Sequence, residues 1–113
     1  MKVLVCGGRD YDNWRELHQE LNHFTGHTLP TIIQGGAKGA DFLAKVYAKF
    51  YGLECVEFPA DWKKYGNKAG PIRNQQMLDE AKPDLVIAFP GGTGTADMIS
   101  RAKNQGFEVI EIK

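Results

Sequence analysis

Two rhythms of apolar residues alternate along the chain. Short apolar runs at Lys2 to Cys6 (KVLVC), Thr31 to Gln34 (TIIQ), Glu54 to Phe58 (ECVEF), Asp84 to Phe89 (DLVIAF) and Glu108 to Ile112 (EVIEI) read as buried strands. Between them the spacing lengthens. Trp14, Leu17, Leu21 and Phe24 recur at steps of three and four, predicting an amphipathic helix that ends near Gly26. Phe42, Leu43, Val46, Tyr47 and Phe50 line one face of a second helix, stopped by Gly52. The stretch PADWKKYGNKAG then reads as a long loop. It leads into a third helix from Pro71 to about Ala81 with a thin apolar face, and a fourth helix is expected from Thr95 to Asn104.

Strands that alternate with helices through short connections require right-handed crossovers and a parallel sheet covered on both faces. The pattern therefore predicts one α/β domain over residues 1–113, a Rossmann-like open parallel sheet of about five strands with helices on both faces. No linker, internal repeat or low-complexity tract interrupts it. Ligands in such sheets bind beyond the carboxyl ends of the strands, where the strand order reverses.

The residues that follow the strands are unusually rich in glycine. Gly7, Gly8 and Arg9 follow the first, and Gly35, Gly36, Ala37, Lys38, Gly39, Ala40 and Asp41 follow the second. Pro90, Gly91, Gly92, Thr93, Gly94 and Thr95 follow the fourth. Each turn leads toward a helix N-terminus, whose free amides and positive partial charge attract anions, and glycine lets a phosphate approach the backbone. Three such turns on one sheet edge point to a phosphate-bearing ligand, with the turns at Gly35–Lys38 and Gly91–Thr95 expected to hold the phosphate jointly. The G-x-x-x-x-G-K-[ST] loop of P-loop NTPases is absent, and the first turn lacks the G-x-G-x-x-G dinucleotide fingerprint.

Charge narrows the partners. The chain has 14 basic and 14 acidic residues, so nothing drives it as a whole toward nucleic acid or an anionic membrane. No apolar run approaches the roughly 20 residues that span a bilayer, and the opening MKVLVCGG is a poor signal peptide. Cys6 and Cys55 read as small core residues with free thiols, which fits a cytoplasmic protein. His18 and His23 are five apart and face differently, and Gly26 ends the helix between His23 and His27. No metal site and no cofactor are therefore expected.

The motifs taken together resemble the SLOG superfamily, which takes its name from the DNA-processing proteins and the Lonely Guy enzymes. PGGTGTADM (Pro90 to Met98) resembles the Lonely Guy motif P-G-G-x-G-T-x-x-E, and RNQQM (Arg73 to Met77) its R-K-x-x-M. GGAKGAD is similar to the G-A-x-G-x-D turn of the DNA-processing branch. GGRDY and the run W-x-x-Y-G-x-x-A-G-P-x-R-N are most similar to the small stand-alone group related to YspA and YpsA. Lonely Guy enzymes cleave the N-glycosidic bond of adenine-type nucleoside monophosphates, and the resemblance implies homodimers. It also implies a catalytic Arg, matched by Arg73, and a Glu, whose position is filled by Met98. A thioether cannot act as a general acid or base. Asp97 is adjacent, but one residue along a helix rotates a side chain by about 100°.

The expected ligand-binding residues are Gly7, Gly8, Arg9, Gly35, Gly36, Ala37, Lys38, Asp41, Trp62, Arg73, Asn74, Gly91, Gly92, Thr93, Gly94 and Thr95. Arg73 at a helix start carries the wrong sign for the dipole and so calls for an anionic partner. Trp62 and Tyr65 form either a small satellite cluster or a lid that stacks on a base. Met77 and Met98 read as packing residues. The leading expectation is a nucleotide-type binding protein acting as sensor, carrier or sequestering protein. The first alternative is a nucleoside 5′-monophosphate phosphoribohydrolase, with Arg73 and Asp97 catalytic, or Asp41 or Asp10 in place of the missing Glu. The second is a single-stranded DNA binder, disfavoured by the neutral charge.

Overall fold

Alternation within single strands divides the interior into two cores. In strand β1 (Lys2–Cys6), Val3 and Val5 point to one face and Leu4 and Cys6 to the other, as a period of two requires. A computed structural model describes residues 1–26 and 28–113, so His27 and its spacing from His23 lie outside the described residues. The elements after β1 are α1 (Trp14–Thr25), β2 (Thr31–Gln34), α2 (Ala40–Tyr51) and β3 (Cys55–Glu57). A short helix α3 (Trp62–Tyr65), a 3₁₀ turn (Gly66–Lys68), α4 (Ala69–Ala81), β4 (Leu85–Ala88), α5 (Thr93–Asn104) and β5 (Val109–Glu111) complete the chain.

The strands form one parallel sheet in the order β3-β2-β1-β4-β5. Val3, Val5, Ile32, Leu85, Ile87 and Phe89 meet Leu17 and Leu21 of α1 and Ala40, Ala44 and Tyr47 of α2. On the opposite face, Leu4, Ile33 and Val86 meet Met77 and Leu78 of α4 and Met98 and Ala102 of α5. Full burial of each Leu, Ile or Met contributes about 1.5–3 kcal/mol. The class is therefore Rossmann-like α/β, with helices on both faces. The strand order reverses between β1 and β4, which puts the turns after those strands side by side.

Local signals set the boundaries. Asn13 caps α1 by accepting the Glu16 amide at 3.1 Å, and Gly52 ends α2 in the left-handed conformation. The stretch expected to be a long loop is largely helical. Asp61 caps α3 by accepting the Lys64 amide at 3.1 Å, and α4 begins at Ala69. Arg73 consequently sits in the second turn of α4 rather than at a helix start, so the dipole argument for an anionic partner does not apply to it.

Candidate functional site

The turns after β1 and β4 meet backbone to backbone. The Gly8 amide donates to the Pro90 carbonyl at 2.9 Å. A β-carbon on Gly91 would lie 2.6 Å from the Gly8 nitrogen and 2.2 Å from Thr95 Oγ1, so only glycine lets the two turns touch. Behind this contact α5 begins with Gly92 at its N-cap and no side chain capping it. The Ala96 amide returns to the Gly92 carbonyl at 3.0 Å. The amides of Gly92, Thr93, Gly94 and Thr95 find no acceptor among the described residues. They open into a cleft of about 1000 Å³.

The cleft gathers most of the expected residues. Gly7, Gly8 and Arg9 line it from the turn after β1, Ala37 and Asp41 from α2 and the turn before it, and Trp62 from α3. Arg73 and Asn74 line it from α4, and Gly91 to Thr95 with Asp97 from the turn after β4 and the start of α5. Gly35, Gly36 and Lys38 do not line it, which corrects the expectation that their turn shares the phosphate. The Gly36 amide donates to Gln34 Oε1 at 2.6 Å and the Ala37 amide to Asp41 Oδ2 at 3.1 Å. Asp41 is only 6% exposed, so its carboxylate already fills the place an incoming anion would take. The turn after β4 keeps four consecutive amides, Gly92 to Thr95, without an acceptor among the described residues.

Two guanidinium groups face the opening. Arg73 donates from Nη1 to the Gly35 carbonyl, and to the Phe58 carbonyl at 3.4 Å, and from Nε to Asn74 Oδ1 at 3.1 Å. Its Nη2 has no acceptor among the described residues. Burial pushes the Arg73 guanidinium below its ordinary pKa, opposed by the neighbouring Asp41 carboxylate. Arg9 Cζ lies 5.3 Å from the centre of the Trp62 ring, and that ring is half-exposed at the cleft mouth. Tyr65 does not line the cleft; Lys64 Nζ sits 5.1 Å from its ring centre.

The catalytic expectations divide. Asp97 lines the cleft, and its Oδ2 accepts from Arg101 Nε at 2.8 Å and from Asn74 Nδ2 at 3.0 Å. Met98 is fully buried in the core between the sheet, α4 and α5 and does not line the cleft. Its role as a packing residue agrees with the reading above. α5 turns the side chain at position 98 inward, away from the cleft that the Lonely Guy Glu would have to reach.

Sequence reasoning passed over Cys6, Tyr11, Asp12 and Asn67, which also line the cleft. Tyr11 packs at a tilt against Phe89 with ring centres 5.2 Å apart and donates to Glu16 Oε1 at 2.7 Å. Its signal was its place directly after Gly7-Gly8-Arg9-Asp10. Cys6, at the cleft floor, is pushed up to about 12, first by burial and then by Asp41, so its thiol stays protonated and is no nucleophile at neutral pH. Both cysteines are free thiols. Among the described residues no three His, Cys, Asp or Glu side chains gather to hold a metal ion, and no helix is long and apolar enough to cross a membrane.

An open helix N-terminus at the reversal point of a parallel sheet defines a Rossmann-like fold of the kind that holds nucleotide-related ligands. The chain belongs to the YspA, cpYpsA-related SLOG family, YAcAr, whose model matches residues 1–65. That match contains the turns after β1 and β2, whereas α4 and the open turn after β4 lie beyond it. The Gene 61 protein of Mycobacterium phage D29 is 34% identical over 122 residues, covering 96% of this chain and 94% of that protein. Among solved structures, protein TM1055 has a TM-score of 0.75 at 23% identity, covering 96% of this chain and 71% of that one. UDP-GlcNAc 2-epimerase from Neisseria meningitidis, bound to UDP-GlcNAc, has a TM-score of 0.60 at 16% identity. This chain is covered to 99% in that comparison and spans 32% of the epimerase.

Proposed function

We propose that the protein binds a nucleotide or nucleotide-derived small molecule through its phosphate, as a sensor, carrier or sequestering protein. The observation that carries this reading is the run of open amides from Gly92 to Thr95 at the point where the strand order reverses. Arg73, which lines the same cleft, supplies a charge-assisted donor, and the Trp62 face suits a base. The epimerase's bound UDP-GlcNAc supports a nucleotide-type ligand for the fold in general. Asp10, Asp12, Asp41 and Asp97 oppose only Arg9 and Arg73 in the lining, a balance that disfavours a polyanion such as DNA. A homodimer, on the resemblance to Lonely Guy enzymes, and a cytoplasmic setting, on the two free thiols, are part of the reading.

The enzyme reading, phosphoribohydrolase cleavage of a nucleoside monophosphate, is kept because Asp97 lines the cleft. Two donors already hold its Oδ2, and the motif's Glu position is a core Met. Native mass spectrometry of the purified protein should show an adduct of nucleotide-like mass that leaves on denaturation. Incubation with a panel of nucleoside monophosphates should release no base. Base release that Asp97→Asn stops would make the protein an enzyme, and failure to bind any phosphate-bearing probe would overturn both readings.

A further inference from the structure

Asn74 is 4% exposed, and each of its side-chain polar atoms is engaged. Its Oδ1 accepts from Arg73 Nε at 3.1 Å. Its Nδ2 donates to the Gly94 carbonyl at 3.1 Å and to Asp97 Oδ2 at 3.0 Å. Two acceptors on one side and one donor on the other fix which end of the amide is nitrogen. These bonds use both amide hydrogens and one lone pair of Oδ1, so beside any direct contact with a ligand the side chain has a second role. Its partners are the guanidinium beside the cleft and the first turn of α5, which carries the open amides.

We propose that Asn74 is a positioning residue that holds the N-terminus of α5 at a fixed distance from Arg73 and so sets the aperture in which a phosphate is gripped. Gly94 and Asp97 lie on α5 and Asn74 on α4, so these bonds tie the two helices at the cleft. Arg73, anchored on the Gly35 carbonyl, extends the tie to the end of β2. No single α5 amide grips a phosphate alone. Several must converge with the guanidinium, and a tie that fixes their spacing preorganises the site. The consequence for binding rests on the reading given under Proposed function; the tie itself does not.

The test exploits the polarity of the contact. Asn74→Asp removes both donors and sets a carboxylate against that of Asp97, which pushes the start of α5 outward. Adding Asp97→Asn removes that repulsion and lets the new amide donate to the new carboxylate. Because Asp97 Oδ2 holds both Asn74 and Arg101, the Arg101 bond is given up, and the Gly94 bond is not restored. Affinity for adenosine 5′-monophosphate and for inorganic phosphate is measured by calorimetry, and the Gly92, Gly94 and Thr95 amide positions by ¹⁵N NMR shifts. The single variant should bind at least about tenfold more weakly and shift all three amides. The double variant should bind more tightly than Asn74→Asp, with the amide shifts moving part of the way back toward wild type. Asn74→Ser, which loses the tie without adding charge, substitutes if the carboxylate variant does not fold, and it should weaken binding without any rescue by Asp97→Asn. Folded variants with unmoved amide shifts, or a swap that restores nothing, would overturn the proposal. Wild type that binds neither probe would overturn the ligand reading alone, because the shifts still decide whether Asn74 positions α5.

Discussion

The carboxylate of Asp41 accepts the amide of Ala37 at 3.1 Å from inside the protein, in the turn where the sequence suggests a ligand phosphate. Burial raises the Asp41 pKa above its ordinary 3.8, against the opposing pull of the Ala37 amide and of Arg73. A carboxyl whose folded pKa exceeds its unfolded value binds more protons in the native state between the two. Stability then falls as pH rises from about 4 through the raised value, and is flat beyond it. Asp41→Asn keeps an oxygen for the Ala37 amide and carries no charge, so it lacks this slope. Urea unfolding across a pH series should show wild type losing ground to Asp41→Asn as pH rises. A gain instead would mean that Arg73 outweighs desolvation.

Gly94 and Gly91 separate ligand space from structural contact. Nothing lies within 4 Å of a β-carbon built on Gly94, which sits in the first turn of α5. Gly94→Ala should therefore stabilise the fold by about 0.5–1 kcal/mol. A phosphate seated on the open amides would meet the added methyl, so adenosine 5′-monophosphate binding should weaken at least about tenfold, by analogy with losing one charge-assisted contact. Gly91→Ala meets Thr95 Oγ1 at 2.2 Å and should cost about 1–3 kcal/mol. Thermal melts and calorimetry on both variants decide the matter. A stabilised Gly94→Ala with wild-type affinity would remove the phosphate from α5.

The fold was legible because its signals are local and redundant. The runs KVLVC and DLVIAF are buried on both faces, and Gly26 and Gly52 stand at the ends of their helices. The stretch from Asp61 to Gly70 was not legible as helix, since α3 has no buried residue and only the cap from Asp61 to Lys64 marks it. In the site, glycine content located the right sheet edge but could not tell which amides were free. That depends on Gln34 and Asp41 folding back onto the turn after β2, a side-chain choice with no periodic signature. Met98 was legible as a packing residue by its type, though not from the Lonely Guy motif, whose Glu position it fills. The motif fixed its place in the helix, whereas the packing of α5 against Met77 and Leu78 fixed its face.

Trp62 gives a test of the base-binding face. It stands half-exposed between Arg9 and Gly70, so little of the core depends on it. Trp62→Ala should leave the unfolding midpoint within about 0.5 kcal/mol of wild type, as for other surface changes. It should weaken adenosine 5′-monophosphate by the about 1–3 kcal/mol typical of a base–aromatic stack, with Trp62→Phe retaining most of the affinity. Ribose 5-phosphate, which has no base, should bind the wild type and Trp62→Ala alike. Equal weakening of both ligands would make Trp62 a structural prop rather than a base platform.

Restoring the Lonely Guy carboxylate at position 98 should damage the fold before it creates chemistry. Met98 is 0% exposed and packed among Leu4, Ile33, Met77 and Leu78, with no polar partner for an acid. An unpaired carboxylate there costs several kcal/mol, on the order of 3–5. That is a large share of the roughly 5–15 kcal/mol that holds a domain of this size together. The buried Glu would have a folded pKa above its unfolded value near 4.3, so its penalty is smallest at low pH and complete above the raised value. Met98→Leu, which keeps the volume, should cost less than about 1.5 kcal/mol. Denaturation midpoints at pH 5 and pH 8 should place Met98→Glu well below wild type, with the wider gap at pH 8, and the variant should release no adenine from adenosine 5′-monophosphate. A Met98→Glu protein as stable as wild type that cleaves the nucleotide would show that α5 can turn position 98 into the cleft, and the packing argument would fail.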